Sequence, residues 1–257
     1  MSRPFVHGLP PARLGISHPS LSSFYRSVYG YNQSSTADAS PEIIDKNLKT
    51  DPFLQSQLAK KKKKEYTLIM VTESQKERIL LGLKNRGFGT GFYNSFGGKI
   101  DPSDTSVAFG AMRELKEEAN ITVPLHIMEE CHVGFFDFTF EDTPSQMIVH
   151  LFRVDISCLD GKLNDDNVHD ANVILVEPNV IRPPEDGEIT PKWFDSWYEI
   201  PLFQMFADDS IWIPKVLSEP APASVKASSR KKLSGWFHYA PGGVEKNTIS
   251  HYHFAYC

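Results

Sequence analysis

Cysteine is scarce in this chain of 257 residues: Cys131, Cys158 and Cys257 stand far apart, with no paired spacing. That excludes a disulfide framework and a paired-cysteine zinc site, and points to a reducing compartment. Long apolar runs are also missing. None approaches the roughly 20 residues that a membrane helix needs, so a soluble chain with no membrane partner is expected. Positive charge is not in excess: 27 Lys and Arg face 32 Asp and Glu, a net of −5 with His neutral. A nucleic-acid coat or a polyanion-binding surface is thereby excluded, and any phosphate must be held by local charge. No internal repeat is present. With 40% hydrophobic residues, the chain can bury one substantial core, which suggests a single catalytic domain with an appended segment.

Acidic residues are absent before Asp38, where Arg3, Arg13 and Arg26 stand among many serines. This is the composition of a mitochondrial transit peptide, although Pro4, Pro10 and Pro11 interrupt any amphipathic helix. Residues 1–65 as a whole read as a poorly ordered N-terminal extension. Lys60 to Lys64 form a basic run at its end; it is either a nuclear signal or anion contact, or a solvated linker, the commoner use of such a run. The expected location is cytoplasmic, with a mitochondrial or nuclear pool left open.

From residue 66 the pattern changes. Residues 66–72 and 78–84 are β-rich runs around a polar turn at 73–77, which predicts a hairpin. Residues 132–140 and 147–156 alternate aromatic or β-branched with polar residues, predicting a second antiparallel pair. Trp193 and Phe194 suggest a short strand, and 233–239 with 248–254 a C-terminal hairpin whose turn begins at Pro241-Gly242-Gly243. Two stretches read as insertions: 159–186, long, polar and proline-bearing, and 218–229, rich in Ala, Ser and Pro.

The densest chemistry runs from Gly97-Gly98-Lys99 into Arg113-Glu114-Leu115-Lys116-Glu117-Glu118. Ala108, Ala111, Met112, Leu115 and Ala119 recur at helical spacing and form one apolar stripe, with the glutamates off it. Asp104, Thr105 or Ser106 can cap the start of this helix, and Asn120 can end it in a left-handed conformation. Glu114, Glu117 and Glu118 then share one side, near enough to converge on one hard cation or a pair. A solvated acidic face is the plain alternative; the flanking glycines and the apolar stripe favour a metal site for diphosphate chemistry.

These residues resemble the Nudix box: Gly, five residues, Glu, seven residues, Arg-Glu, an aliphatic residue, any residue, Glu-Glu, any residue, Gly and an aliphatic residue. Gly98, Arg113, Glu114, Leu115, Glu117, Glu118 and Ile121 stand in its places. Asp104 occupies the place of the first Glu, eight residues separate it from Arg113, and Asn120 replaces the last Gly. The resemblance runs from about residue 66 to 254. It narrows to the members that hydrolyse oxidised purine nucleoside triphosphates of the 8-oxo-dGTP and 2-oxo-dATP class. Lys84-Asn85-Arg86-Gly87-Phe88-Gly89, Asn94, Phe96-Gly97-Gly98-Lys99 and Phe206-Ala207-Asp208-Asp209-Ser210-Ile211-Trp212 carry that narrowing.

The resemblance implies an α/β fold, the Nudix α/β/α sandwich with a mixed β-sheet, over residues 66–257. It also implies Mg²⁺ as cofactor and hydrolysis to monophosphate and pyrophosphate, sanitising the nucleotide pool. The partner is a small-molecule nucleotide, with no stable nucleic-acid binding, and a monomer is expected. Two other functions stay open: a Nudix pyrophosphatase acting on another nucleoside diphosphate derivative, and a nucleotide-binding module without turnover. The intact Arg113-Glu114 and Glu117-Glu118 pairs argue against the second.

By the same resemblance the Gly97 carbonyl joins Glu114, Glu117 and Glu118 around the metal, and Glu188 approaches the same ions. Glu117 or Glu118 is the candidate base. Arg113 is expected to orient the neighbouring carboxylates, since a guanidinium fixes carboxylate geometry well. Lys84 either reaches the triphosphate or ribose or is a strand-end lysine, and Lys99 carries the same ambiguity. A flat apolar base slot is assigned to Phe88, Phe136, Phe138, Met147, Phe206 and Trp212, with Phe206 where the family has a stacking Trp. Thr67 and Asn94 match polar positions at sugar and base. Asp208 and Asp209 are either an acid pair at a helix start or, in a dry site, two carboxyls whose repulsion leaves one protonated to donate to a purine edge.

Overall fold

The computed structural model describes residues 52, 62–158, 187–225, 230, 232–242 and 247–256, all within the unit Gln33–Cys257. The expected insertion at 159–186, residues 226–229 of the second one and, apart from Pro52, the expected extension up to residue 61 lie outside the described residues.

The strands are β1 (Lys62–Glu73), β2 (Arg78–Lys84), β3 (Tyr93–Asn94), β4 (His132–Phe140), β5 (Thr143–Asp155), β6 (Ile189–Phe194), β7 (Leu233–Tyr239) and β8 (Ile249–Tyr256). The helices are α1 (Val107–Ala119), α2 (Leu125–Glu130) and α3 (Asp209–Ser218). One mixed sheet has the order β3-β2-β1-β5-β4-β7-β8, with β6 also paired to β2. The β1/β5 and β4/β7 pairs are parallel, and the remaining pairs are antiparallel. The three predicted hairpins are therefore present.

β1 begins four residues before the expected start of the domain. Lys62, Lys63 and Lys64, read from sequence as part of a linker, pair in parallel with Ser145, Gln146 and Met147. Their side chains are exposed, so they give no hydrophobic alternation although their backbone is already sheet. Ser218, expected to open a low-complexity insertion, is the last residue of α3, and Pro222–Ser224 form a 3-10 turn.

Helices cover both faces. Ala108, Ala111, Leu115 and Ala119 of α1 bury against Ile69, Val71, Phe152 and Val154, together with Ile127 and Met128 of α2. This is the predicted stripe. Ser106 accepts a hydrogen bond from the Phe109 N–H at 3.1 Å, and Asn120 closes the helix at φ 55°. α3 lies over the opposite face, where Trp212 packs on Phe136 at 5.5 Å between ring centroids. Phe136 pairs with Val149, and alternation turns Val149 away from Phe152.

The feature that makes room for a site is a split in the sheet. β1 and β2 pair only where Val71, Thr72 and Glu73 meet Leu80, Ile79 and Arg78. Beyond that they diverge, and the chain following β3 enters the gap. Ile69 exchanges hydrogen bonds with Phe96 at 2.6 and 3.1 Å, and the Thr67 N–H donates to the Gly98 carbonyl at 2.8 Å. Gly97 sits at φ +135°, and a Cβ there would lie 2.2 Å from the Thr67 carbonyl oxygen. Only glycine permits this seam, which seats the glycine loop directly against β1.

Candidate active site

A cavity of about 430 Å³ occupies the split. Lys84, Gly97, Gly98, Glu118 and Glu188 line its charged end, and Phe88, Phe138, Met147, Phe206, Asp208, Asp209 and Tyr239 its apolar end, with Thr67, Asn94 and Ser95 also in the wall.

At the charged end, α1 presents its acids beside the glycine loop. Glu118 accepts a hydrogen bond from the Gly97 N–H at 2.7 Å and has the Lys84 ammonium at 3.5 Å. Burial raises its carboxyl to about 7, against the opposing pull of that N–H and of Lys84. The same ammonium is 2.6 Å from Glu188. Glu114 is also raised by burial, opposed by Arg113. A Cβ on Gly98 would come within 2.7 Å of the Glu114 carboxylate, so the loop and α1 are in contact with no room between them.

Arg113 bonds to three neighbouring carboxylates. Its Nε and Nη2 donate to Asp104 at 3.0 and 2.9 Å, and its Nη1 donates to Glu114 at 2.9 Å and Glu117 at 3.0 Å. Asp104, the shorter acid on a longer loop, still grips the guanidinium through both oxygens. The pair holds the Asp104 carboxyl below the usual range and raises the Arg113 guanidinium, Asp104 being the largest cause. Asp104 is thus an orienting partner rather than the helix cap. The three glutamates do not converge as the spacing alone suggested. Among the described residues no three acidic, histidine or cysteine side chains form a ready ligand set, because Arg113 draws Glu114 and Glu117 while Gly97 and Lys84 hold Glu118. Glu114, Glu117 and Arg113 lie outside the cavity wall.

At the other end, Phe88 stacks on Phe206 at 5.5 Å, and Phe92 meets the same ring edge-on at 5.3 Å. Asp208 and Asp209 stand at the start of α3, yet the Asp208 side chain caps nothing. Its Oδ2 accepts from the Trp212 indole N–H at 2.9 Å, and its Oδ1 from the Tyr239 hydroxyl. Asp209 accepts from the Phe206 N–H at 3.0 Å. Both are buried, at 5% and 2% exposure, which disfavours their charged forms. Burial and then the neighbouring Asp208 charge push Asp209 well up; burial also raises Asp208, but two donors oppose it. Burial and mutual repulsion therefore disfavour two charges on the pair, and the Trp212 and Tyr239 donors are both on Asp208.

Two expected slot residues are displaced. Phe136 and Trp212 are fully buried and absent from the cavity wall. Phe136 faces the correct side but lies deeper, edge-on to Phe138 at 6.1 Å, and Trp212 acts from behind as the donor that fixes Asp208. The remaining slot residues, Phe88, Phe138, Met147 and Phe206, reach the wall. Asn94 does too, with its Oδ1 accepting from the Ser95 N–H at 2.8 Å. Thr67 sits against Gly98 at 3.5 Å. Lys99 is exposed, and its carbonyl accepts from Arg113 at 3.3 Å. Sequence reasoning missed Tyr239 and Ser95. Tyr239 ends a strand far along the chain and carries no local signal; Ser95 stood between two residues already singled out.

The profile of the NUDIX domain matches residues 62–197. An oxidized purine nucleoside triphosphate hydrolase of Mus musculus is 35% identical over 175 residues, which are 68% of this chain and 85% of that protein. A protein of the same name from Danio rerio is 37% identical over 174 residues, 67% of this chain and 85% of its own length.

Proposed function

Because the chain belongs to the NUDIX family, we propose that it is a pyrophosphohydrolase that converts oxidised purine nucleoside triphosphates, of the 8-oxo-dGTP and 2-oxo-dATP class, to monophosphate and pyrophosphate. The observation that carries this reading is that one cavity holds both halves of the task. Carboxylates and a lysine meet at one end, and an aromatic slot closed by a buried acid pair lies at the other. The names of the mouse and zebrafish relatives support the same substrate class.

The donor set suits a hard divalent cation, Mg²⁺ in this proposal. Glu118 is a partly buried carboxylate whose proton affinity is raised by its removal from water, and a bound cation would offset that cost. The ammonium of Lys84 lies between Glu118 and Glu188, at 3.5 and 2.6 Å. Glu114, Glu117, Glu118, Glu188 and the Gly97 carbonyl would hold the ion, which when bound supplies charge neutralisation and an activated water. Arg113 and Asp104 keep Glu114 and Glu117 aimed, and Lys84 is free to turn from Glu118 toward a phosphate oxygen.

At the base end, Phe88 and Phe206 can stack on a purine ring. Asp209 donates its proton to an acceptor on the purine edge while Asp208 accepts from a ring N–H or amino group. Proton relocation between the two would let the pair suit a second edge, but the donors on Asp208 favour one arrangement. We further propose a monomer acting on the cytoplasmic nucleotide pool, with a mitochondrial or nuclear share.

A substrate panel with product identification tests the function. Mg²⁺-dependent release of pyrophosphate from 8-oxo-dGTP or 2-oxo-dATP, ahead of dGTP and dATP, is expected. Preference for a dinucleotide or sugar nucleotide without pyrophosphate release would favour the other pyrophosphatase reading, and tight binding without turnover the regulatory one.

A further inference from the structure

Ser95 lies in the cavity wall at 5% exposure, and its hydroxyl has no hydrogen-bond partner. Among the described residues it is the only cavity-lining residue with a buried, unpartnered side-chain polar atom. Its neighbours in the wall are engaged: Thr67 with Gly98, Asn94 with the Ser95 N–H, Asp208 with Trp212 and Tyr239. Ser95 follows β3 directly and shares the cavity wall with Phe206, Asp208 and Asp209, while the next residue, Phe96, enters the core beneath α1. An unpaired buried hydroxyl is costly, and a site keeps one only where something else completes it.

We propose that Ser95 is a substrate-recognition residue whose hydroxyl completes its hydrogen bonding on a ring heteroatom of the bound purine. A serine hydroxyl both donates and accepts, so either a ring carbonyl or a ring N–H serves. The inference rests on the purine-nucleotide reading above and adds a polar contact, separate from the acid pair, that selects the heterocycle. A site built to hydrogen-bond a substrate group rejects analogues lacking it.

The test is calorimetric binding of 8-oxo-dGMP, 2-oxo-dAMP and inorganic pyrophosphate to the wild-type full chain, to Ser95→Ala and to Ser95→Gly, with thermal melting of each. The expected result is a loss of roughly tenfold in affinity for at least one oxidised monophosphate in both variants. Pyrophosphate affinity should not change, and the Ala variant should melt no lower than wild type, because the hydroxyl has no partner to lose. Equal monophosphate affinity in wild type and Ser95→Ala overturns the inference. So does a lower melting temperature with unchanged binding, which would mean that ordered water completes the hydroxyl. If the wild type binds neither monophosphate, the functional reading itself fails and takes this inference with it; wild-type binding without a Ser95 effect removes only the inference.

Discussion

Replacing Asp209 by Asn separates a recognition pair from a helix-start pair more sharply than any other single change. Asn keeps the oxygen that accepts from the Phe206 N–H at 3.0 Å and nearly the same volume, but it is neutral at every pH and its proton cannot move. In the wild type, burial and the Asp208 charge raise the Asp209 carboxyl. Between the unfolded value near 3.9 and that raised value, the folded state binds more protons than the unfolded one. Stability therefore falls as pH rises through this window and is greatest below it. The Asn variant lacks this loss. It should melt as high as or above wild type at pH 8, with the gap narrowing toward pH 5. Binding should change selectively. Asn reproduces a protonated Asp209, so a purine edge that takes a donor there should lose little. An edge that needs the proton relocated meets a mismatched buried hydrogen bond costing about 1–3 kcal/mol, roughly 5- to 150-fold in kcat/KM. The ratio of 8-oxo-dGTP to 2-oxo-dATP turnover should also change. The assay is kcat/KM for both substrates with melting curves at pH 5 and pH 8 on one preparation. A uniform drop in melting temperature with an unaltered ratio would refute the reasoning and return the pair to a helix-start role.

Three further outcomes follow from the same geometry. Glu118→Gln should lower kcat roughly a hundredfold or more while leaving the melting temperature at or above wild type, since the neutral side chain escapes the burial that raises the carboxyl; near-normal turnover would remove Glu118 from the chemistry. Gly98→Ala places a Cβ within 2.7 Å of the Glu114 carboxylate, so steady-state kinetics should show a fall in kcat of roughly tenfold or more from displacement of that group, against an unchanged kcat if α1 simply yields. A chain beginning at Lys61, just before β1, should fold and keep its substrate preference, and loss of solubility or activity would place earlier residues in the domain.

Local features were legible because their causes are local. The α1 stripe, its Ser106 cap, the left-handed Asn120 and the hairpins all depend on residues within a few positions of one another, where 3.6- and 2-residue periods apply. The box spacing likewise marked Glu114, Glu117, Glu118 and Arg113. It did not determine where those carboxylates point, because that depends on contacts between segments: Asp104 reaching Arg113 across a lengthened loop, the Gly97 N–H holding Glu118, and Lys84 bridging to Glu188. The aromatic slot shows the limit most clearly. Phe136 and Phe138 have the same alternation and the same chemistry in sequence, yet only Phe138 reaches the cavity, because α3 lays Trp212 over Phe136. The acid pair was recognisable as two aspartates, but the donors that Asp208 receives come from Trp212 and from Tyr239 on a distant strand. Depth, partner and dielectric are properties of packing, and no period in the chain encodes them.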